Sequence, residues 1–295
     1  AAAGGRTATS RAVAAHAAHP PRRPPSFGAA APDDQNRCRH HSYGRHRTLS
    51  LAADLPELAG ARPSDPQLAC FHIDAAAMTT TQPQLVVCGT DTDVGKTIVS
   101  AWLVQGLKAY YWKPVQSGLD GGGDRGRVRD LLKLSDDRLL PEAYAFQQPV
   151  SPHWAAEIDG VELDPRALTL PAVDGPLVVE TAGGLMVPLT RRWMQIDQLQ
   201  EWQRPVVLVA RSGLGTLNHT LLSLEALRKR QIRVLGIILN GPPHDDNPAT
   251  LEQFGDAPVL GHLPPLQPLT ANALAHEWGR QNLGDAIRSA LETPQ

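Results

Sequence analysis

From Leu85 onward, short continuous apolar runs alternate with stretches whose apolar residues recur at helical spacing. The runs are LVVCGT (85–90), AYYWKPV (109–115), PLVVETAGG (176–184), RPVVLVARSG (204–213), RVLGIILNG (233–241) and APVLGHLP (257–264), each closed by glycine, proline or a polar residue. Unbroken apolar runs of this length read as strands buried on both faces, the mark of a parallel sheet. Amphipathic helical periods fall at about 96–108, 126–134, 218–230 and 282–292. The predicted fold is therefore α/β, one domain with a mainly parallel sheet flanked by crossover helices. Ligands of such sheets lie outside the carboxyl ends of the strands, where helix amino termini and loops converge. Candidate chemistry is therefore sought just after each run.

Residues 1–77 show no such pattern. They carry 9 of the 28 basic residues, 6 of the 30 acids and 6 of the 11 histidines, in stretches such as AHAAHPPRRPPSFGAAAP. Without sustained apolar periodicity this segment is expected to be disordered. Its acid-free, Ala-, Arg- and Ser-rich opening would suit an organelle transit peptide. Met78, however, is the first methionine and stands seven residues before the first apolar run. That favours a non-native extension over 1–77 ahead of one domain at 78–295, in the cytoplasm. The basic excess belongs to the tail, and the whole chain has a net charge of −2, so no general affinity for nucleic acid or an acidic membrane is expected. No apolar run approaches the roughly 18 residues of a membrane span. Cys38, Cys70 and Cys88 form neither a disulfide framework nor a metal spacing.

The first run leads into GTDTDVGKT. It resembles a phosphate loop, but the strict spacing would need glycine where Thr90 stands, with Gly89 one step early. Val94, Gly95, Lys96 and Thr97 would open a helix whose unpaired N–H groups cradle phosphates. Lys96 would reach the β- and γ-phosphates, and the Thr97 hydroxyl would meet magnesium. Asp91 and Asp93 would repel phosphates unless a cation answers them. Asp93 could be a helix cap, and an amine substrate could supply the cation.

The second run ends in WKPVQSG, where Pro114 stops the strand behind Lys113 and aims its ammonium at the phosphate-loop edge. Parallel strands about 4.8 Å apart keep that edge within a lysine's reach even across an intervening strand. The alternative is a solvated surface charge. Ser117 adds a hydroxyl. The third run ends in VVETAGG, which presents Glu180 to a nucleotide-bound metal, or else pairs it with a structural arginine. Asp124, after three glycines, offers a second acid. Asp130 competes with it but lies within a helix and reads as a solvated face. Magnesium accepts oxygen ligands and keeps several waters, so Thr97, Asp124, Glu180 and phosphate oxygens would satisfy it.

These segments together resemble one family, the dethiobiotin synthetases. The resemblance spans about residues 84–292 and rests on GTDTDVGKT, YWKPVQSG, SPH (151–153), VVETAGG, GLGTLNHT (213–220), GIILNG and LGHLPPL (260–266), in the family's order. It implies a P-loop NTPase-like domain that works as a homodimer with the active site at the interface. It also implies ATP-dependent carboxylation and ring closure of 7,8-diaminononanoate with CO2 to dethiobiotin, ADP and phosphate. By this resemblance ATP is met by Asp93, Val94, Gly95, Lys96, Thr97, Ile98, Asp124, Glu180, Thr181, Ala182 and Gly183. Asn240 with Gly241, and Pro264, Pro265 and Leu266, meet base and ribose. Mg2+ falls to Thr97, Asp124 and Glu180. Lys113 and Lys96 become the catalytic cations, with Thr92 and Ser117 near the substrate amines and Asn218, in a GLGTLN helix start, near the substrate carboxylate. Departures are Asp93 for a common Glu or Gly, Thr181 for a common glycine, Gly241 for an occasional aspartate, and a shortened interval from Lys96 to Lys113. The unusual loop spacing is the family's own.

The chemistry suits these residue types. A carbamate and a γ-phosphate are both anions and must be brought together, which asks for cations rather than a covalent nucleophile. Two other readings share the fold. A partition-type ATPase switch carries a lysine early in its phosphate loop, and GTDTDVG has none. A non-catalytic ATP-binding regulatory module would be expected to lose Lys96, Lys113 or Glu180, all present here. A cobyrinate-type amidating ligase would need a glutaminase domain with a cysteine, for which residues 242–295 have neither length nor Cys. His153 and His219 lack a second ligand at metal spacing and are expected to serve as structural hydrogen-bonding groups.

Overall fold

The structure is a computed structural model and describes residues 83–292. The expectations for residues 1–77 and for Met78 as a start lie outside the described residues. In chain order the elements are β1 (Gln84–Gly89), α1 (Lys96–Leu107), β2 (Tyr110–Trp112), β3 (Val115–Ser117), α2 (Gly123–Leu132), β4 (Leu139–Leu140), β5 (Tyr144–Phe146) and α3 (Pro152–Asp159). There follow β6 (Leu177–Glu180), β7 (Pro188–Thr190), β8 (Trp193–Met194), α4 (Gln195–Trp202), β9 (Val206–Arg211) and α5 (Thr216–Lys229). The chain closes with β10 (Val234–Asn240), α6 (Asn247–Gly255), β11 (Val259–Leu263), α7 (Ala271–Arg280) and α8 (Leu283–Glu292).

Seven strands form one parallel sheet in the order β11-β10-β9-β1-β6-β2-β4. The unbroken apolar runs explain it: along β1, Val86 and Cys88 face one core while Leu85 and Val87 face the other. α3, α4, α5 and α6 contribute Ala155, Leu199, Leu224 and Leu251 to the first core. α1, α2, α7 and α8 contribute Trp102, Val128, Leu274 and Ile287 to the second. Each Val, Leu or Ile side chain buried to this extent contributes about 1.5–3 kcal/mol.

The AYYWKPV run does not continue as one strand. Proline has no N–H for a ladder, and the chain leaves the main sheet at Lys113–Pro114, resuming as β3 paired with β5 in a separate ribbon. The helix expected at 126–134 begins at Gly123, and the one expected from 218 begins at Thr216. α1 is not amphipathic: every residue from Val99 to Val104 is buried. The sheet lies on one side of it, and α7 and α2 pack against it. α3, α4, α6 and α7 were not foreseen, because none carries a long apolar stripe bounded by clear signals.

Trp102 of α1 donates its indole N–H to Leu274 O (2.9 Å) and meets the Trp278 ring edge-on at 6.1 Å. That contact requires the neighbouring Gly106, since a Cβ there would stand 2.2 Å from the Trp278 ring. In an isolated helix Gly106→Ala would gain about 0.8–1.0 kcal/mol of propensity. Here it should cost about 1–3 kcal/mol net, as overpacking does, and lower the urea midpoint. A variant as stable as the parent, or more so, would show that α7 is not seated on α1 in this way.

Candidate active site

Four chain segments converge at the carboxyl edge of the central strands. The first follows β1. Gly95 caps α1 from the left-handed region (φ 93°), with no side chain capping the helix, so the first-turn N–H groups have no side-chain cap. Asp93 is therefore not the cap. It is exposed and itself at φ 56°. A Cβ on Gly95 would lie 2.0 Å from Asn240 Nδ2, and that amide donates to Val94 O at 3.0 Å. Asn240, at the end of β10, thus fastens the loop across the sheet edge. Lys96 is buried (6% exposed) and donates to Asp91 O (2.8 Å), closing the loop on itself. The Asp91 carboxylate accepts the Thr92 N–H at 2.7 Å and faces Arg211 at 3.7 Å. The cation that answers Asp91 is an arginine at the end of β9, a partner the spacing did not reveal.

The second segment follows β2. Lys113 is 5% exposed, so the solvated-charge alternative does not hold. Its Nζ donates to Asp124 Oδ2 and, at 3.2 Å, to Glu180 Oε1. Burial alone would lower the Lys113 pKa, but the charges of Glu180 and Asp124 outweigh it and raise the pKa above the ordinary lysine value. Burial would raise Asp124, yet the Lys113 charge and hydrogen bond prevail and hold its carboxyl below the usual range. Lys96 has no such contact with a carboxylate, and burial lowers its pKa despite Glu180 nearby.

Glu180, the third segment, ends β6 and is 1% exposed. No arginine pairs with it. Its Oε1 accepts from Thr97 Oγ1 (2.8 Å) and Lys113, and its Oε2 from Tyr111 Oη (2.9 Å). The fourth segment is the glycine loop before α2. Gln116 donates to Ser117 O and Gly118 O, both at 3.0 Å, and accepts the Asp124 N–H at 3.1 Å. One buried amide thus fixes the residue that supplies the second acid. Arg127 adds a charge 3.5 Å from Asp124. Tyr111, Gln116 and Arg127 were not singled out from the sequence. Gln116 lay inside the quoted WKPVQSG, and Tyr111 was hidden by reading its run only as apolar. Asp130 is exposed beside Arg129, as a solvated face predicts.

A cavity of about 620 Å3 joins these segments. Thr92, Asp93, Gly95, Lys96, Thr97 and Ile98 line one wall, and Ala182 and Gly183 extend the Glu180 side. Lys113, Ser117 and Asp124 line the rest, and the Ser117 Oγ is buried without a partner. Several expected residues do not line it. Val94 packs in the core, and Thr181 is buried with its hydroxyl unpaired. Gly241 donates its N–H to Leu263 O (3.0 Å), and Pro264, Pro265 and Leu266 follow β11, so this group shares the edge with Asn240 beyond the cavity. Asn218 is exposed in the first turn of α5. His219 is exposed, and His153 Nδ1 is buried without a hydrogen-bond partner, so the expected bonding of His153 is not seen at that atom. Cys88 lies in β1, where burial pushes its thiol up to about 12, too high for a nucleophile at neutral pH.

Among the described residues no group of three or more His, Cys, Asp or Glu side chains is arranged to hold a metal. The donor set here is two carboxylates and a hydroxyl, with a cation already bridging the carboxylates. That suits magnesium, which binds through one or two carboxylates and completes its shell with phosphate and water.

The AAA_26 family, an AAA domain, matches residues 83–273. The ATP-dependent dethiobiotin synthetase of Rhodopseudomonas palustris strain HaA2 is 55% identical over 190 residues, covering 64% of this chain and 89% of the relative. That of strain BisA53 is 51% identical over 209 residues, covering 70% and 98%. The dethiobiotin synthetase of Bradyrhizobium diazoefficiens is 53% identical over 192 residues, covering 65% and 91%.

The lysine bridge makes a direct prediction. Breaking a buried ion pair by removing one partner costs about 3–5 kcal/mol. Lys113→Met should therefore unfold that much more easily in metal-free buffer, and added magnesium should restore more stability to the variant than to the parent. Equal unfolding midpoints would show that the two carboxylates do not depend on the lysine's charge.

Proposed function

This chain belongs to the ATP-dependent dethiobiotin synthetases: it is an ATP-dependent cyclo-ligase of biotin biosynthesis, and we propose that it carboxylates 7,8-diaminononanoate with CO2 and closes the ring in the cleft described above. This ligase reading is favoured over a partition-type switch by the relatives at 51–55% identity. The carrying observation is the convergence in one cavity of Lys96 and Thr97 from the loop, Lys113, and the carboxylates of Asp124 and Glu180.

In this reading one substrate amine adds to CO2, forming a C–N bond and releasing a proton to give a carbamate. A carbamate oxygen attacks the γ-phosphorus, the bond to the bridging oxygen breaks, and ADP leaves. The second amine attacks the carbonyl carbon, phosphate departs, and a second proton is lost as the ring closes. Every step up to ring closure gathers negative charge, so most of the acceleration comes from positioning and fixed positive charge. The N–H groups opening α1 bind phosphate oxygens. Lys96 neutralises the β,γ end, and Lys113 spans γ-phosphate and carbamate. Ser117, whose hydroxyl is buried without a partner, suits a hydrogen bond to one amine, and Thr92, which also lines the cavity, suits the other. Asp91 adjoins Thr92 but does not line the cavity and already faces Arg211. Thr97, Asp124 and Glu180 would hold Mg2+, which when bound would neutralise β- and γ-phosphate charge. Asn240, Gly241, Pro264, Pro265 and Leu266 would meet the base and ribose along the same edge.

The substrate's carboxylate has no cation waiting in the cavity wall beyond those already engaged. We assign it to the exposed α5 start with Asn218 of a second subunit, making a homodimer with a shared site. Leu214, fully exposed one turn before, supports burial of that turn by a partner. A cytoplasmic location fits the substrates, and among the described residues no helix is long and apolar enough to cross a membrane.

ADP release should require 7,8-diaminononanoate and bicarbonate together, and ATP hydrolysis independent of both would point to a switch. Losing a preorganised charge costs about 2.7–4 kcal/mol of barrier, roughly 100–1000-fold in turnover. Lys113→Gln should lose turnover on that scale with little change in ATP affinity, whereas Lys96→Gln should lose both. Normal turnover at saturating ATP in Lys113→Gln would make the lysine a binding residue only.

A further inference from the structure

We propose that Tyr111 is a positioning residue: its buried phenol fixes the Glu180 carboxylate so that Oε1 alone is presented to the cleft. The inference rests on the magnesium reading of the site and names a residue outside the set that reading uses.

The register of the sheet produces the contact. Tyr111 pairs with Val178 across β2 and β6, and Glu180 lies two residues beyond Val178, so all three side chains share one face. Two residues of strand span about 6.6 Å, a distance the length of a tyrosine side chain bridges. The phenol thus arrives from inside the core and donates to Glu180 Oε2 at 2.9 Å. Tyr111 is 0% exposed and packs in the same core as Val87, Val99 and Val178.

Three donors hold Glu180, and they differ in what else they must do. Thr97 and Lys113 both bind Oε1, and both belong to the machinery that meets phosphate, metal and carbamate. Their hydrogen bonds to Glu180 are exchanged when nucleotide arrives. Tyr111 has no access to the cleft and no reason to move. Through such an exchange it keeps the carboxylate plane fixed and Oε2 satisfied, leaving Oε1 as the ligand oxygen. Phenylalanine would preserve the packing and leave Oε2 buried without this donor, free to turn away from the cleft.

The test measures Mn2+ binding to the full chain with saturating ADP, by electron paramagnetic resonance, so that it does not depend on turnover. Tyr111→Phe should weaken Mn2+ binding by about 10-fold or more, the scale of a hydrogen bond to a charged group, with metal-free ADP affinity unchanged. Val178→Ala serves as a matched control: it loosens the same face without touching Glu180 and should leave the Mn2+ dissociation constant alone. A Tyr111→Phe constant within twofold of the parent's would overturn the proposal while leaving the metal reading intact. So would an equal weakening in Val178→Ala, which would make the effect general loosening of the core. A parent protein that binds no Mn2+ with ADP would instead overturn the metal reading itself, and this inference with it.

Discussion

The arrangement of the cleft depends on one electrostatic constraint: Glu180, and close to it Asp124, are carboxylates withdrawn from water that must share a cation. A buried carboxylate without compensation takes up a proton rather than stay charged. Here Lys113 compensates both, and its own burial is tolerated only because both are there. A divalent ion arriving with nucleotide would carry more charge to the same oxygens and free the lysine for the reacting phosphate. In the proposed reaction the group that holds the site ready is the one that would then act in it.

The fold serves that constraint through the ends of its strands. β6 lies between β1 and β2, so Glu180 is flanked by the phosphate loop on one side and the end of β2 on the other. Pro114 takes the chain out of the sheet immediately after Lys113, which leaves the lysine at the edge. The glycine loop before α2 then turns back far enough for Asp124 to meet it, with Gln116 fastening the turn. On the other flank Asn240 ties Val94 to β10, so the loop's shape is set from a strand two places away from β1.

Much of this was legible in the residues. Continuous apolar runs identify central parallel strands because both faces need covering, and the residues that close each run mark the functional edge. Lys96, Thr97, Lys113 and Glu180 follow from that rule, Asp124 from its place after three glycines, and all five line one cavity. The supports were not legible. Tyr111 and Gln116 act through pairing register and loop closure, which depend on which strands become neighbours, and sequence order does not state that β6 intervenes between β1 and β2. α1 was misread as amphipathic because its few polar residues suggested a wet face, whereas α2 and α7 cover it. The short helices α3, α4, α6 and α7 depend on side chains packed into the two cores, since helices of this length have little stability alone.

The most direct measurement is a crystal structure with magnesium and a non-hydrolysable ATP analogue. Metal should be bound to Thr97, Asp124 and Glu180 Oε1, with the Lys113 ammonium moved to the γ-phosphate and the Tyr111 bond to Oε2 retained. Lys113 still bridging Asp124 and Glu180, with the metal held elsewhere, would contradict it.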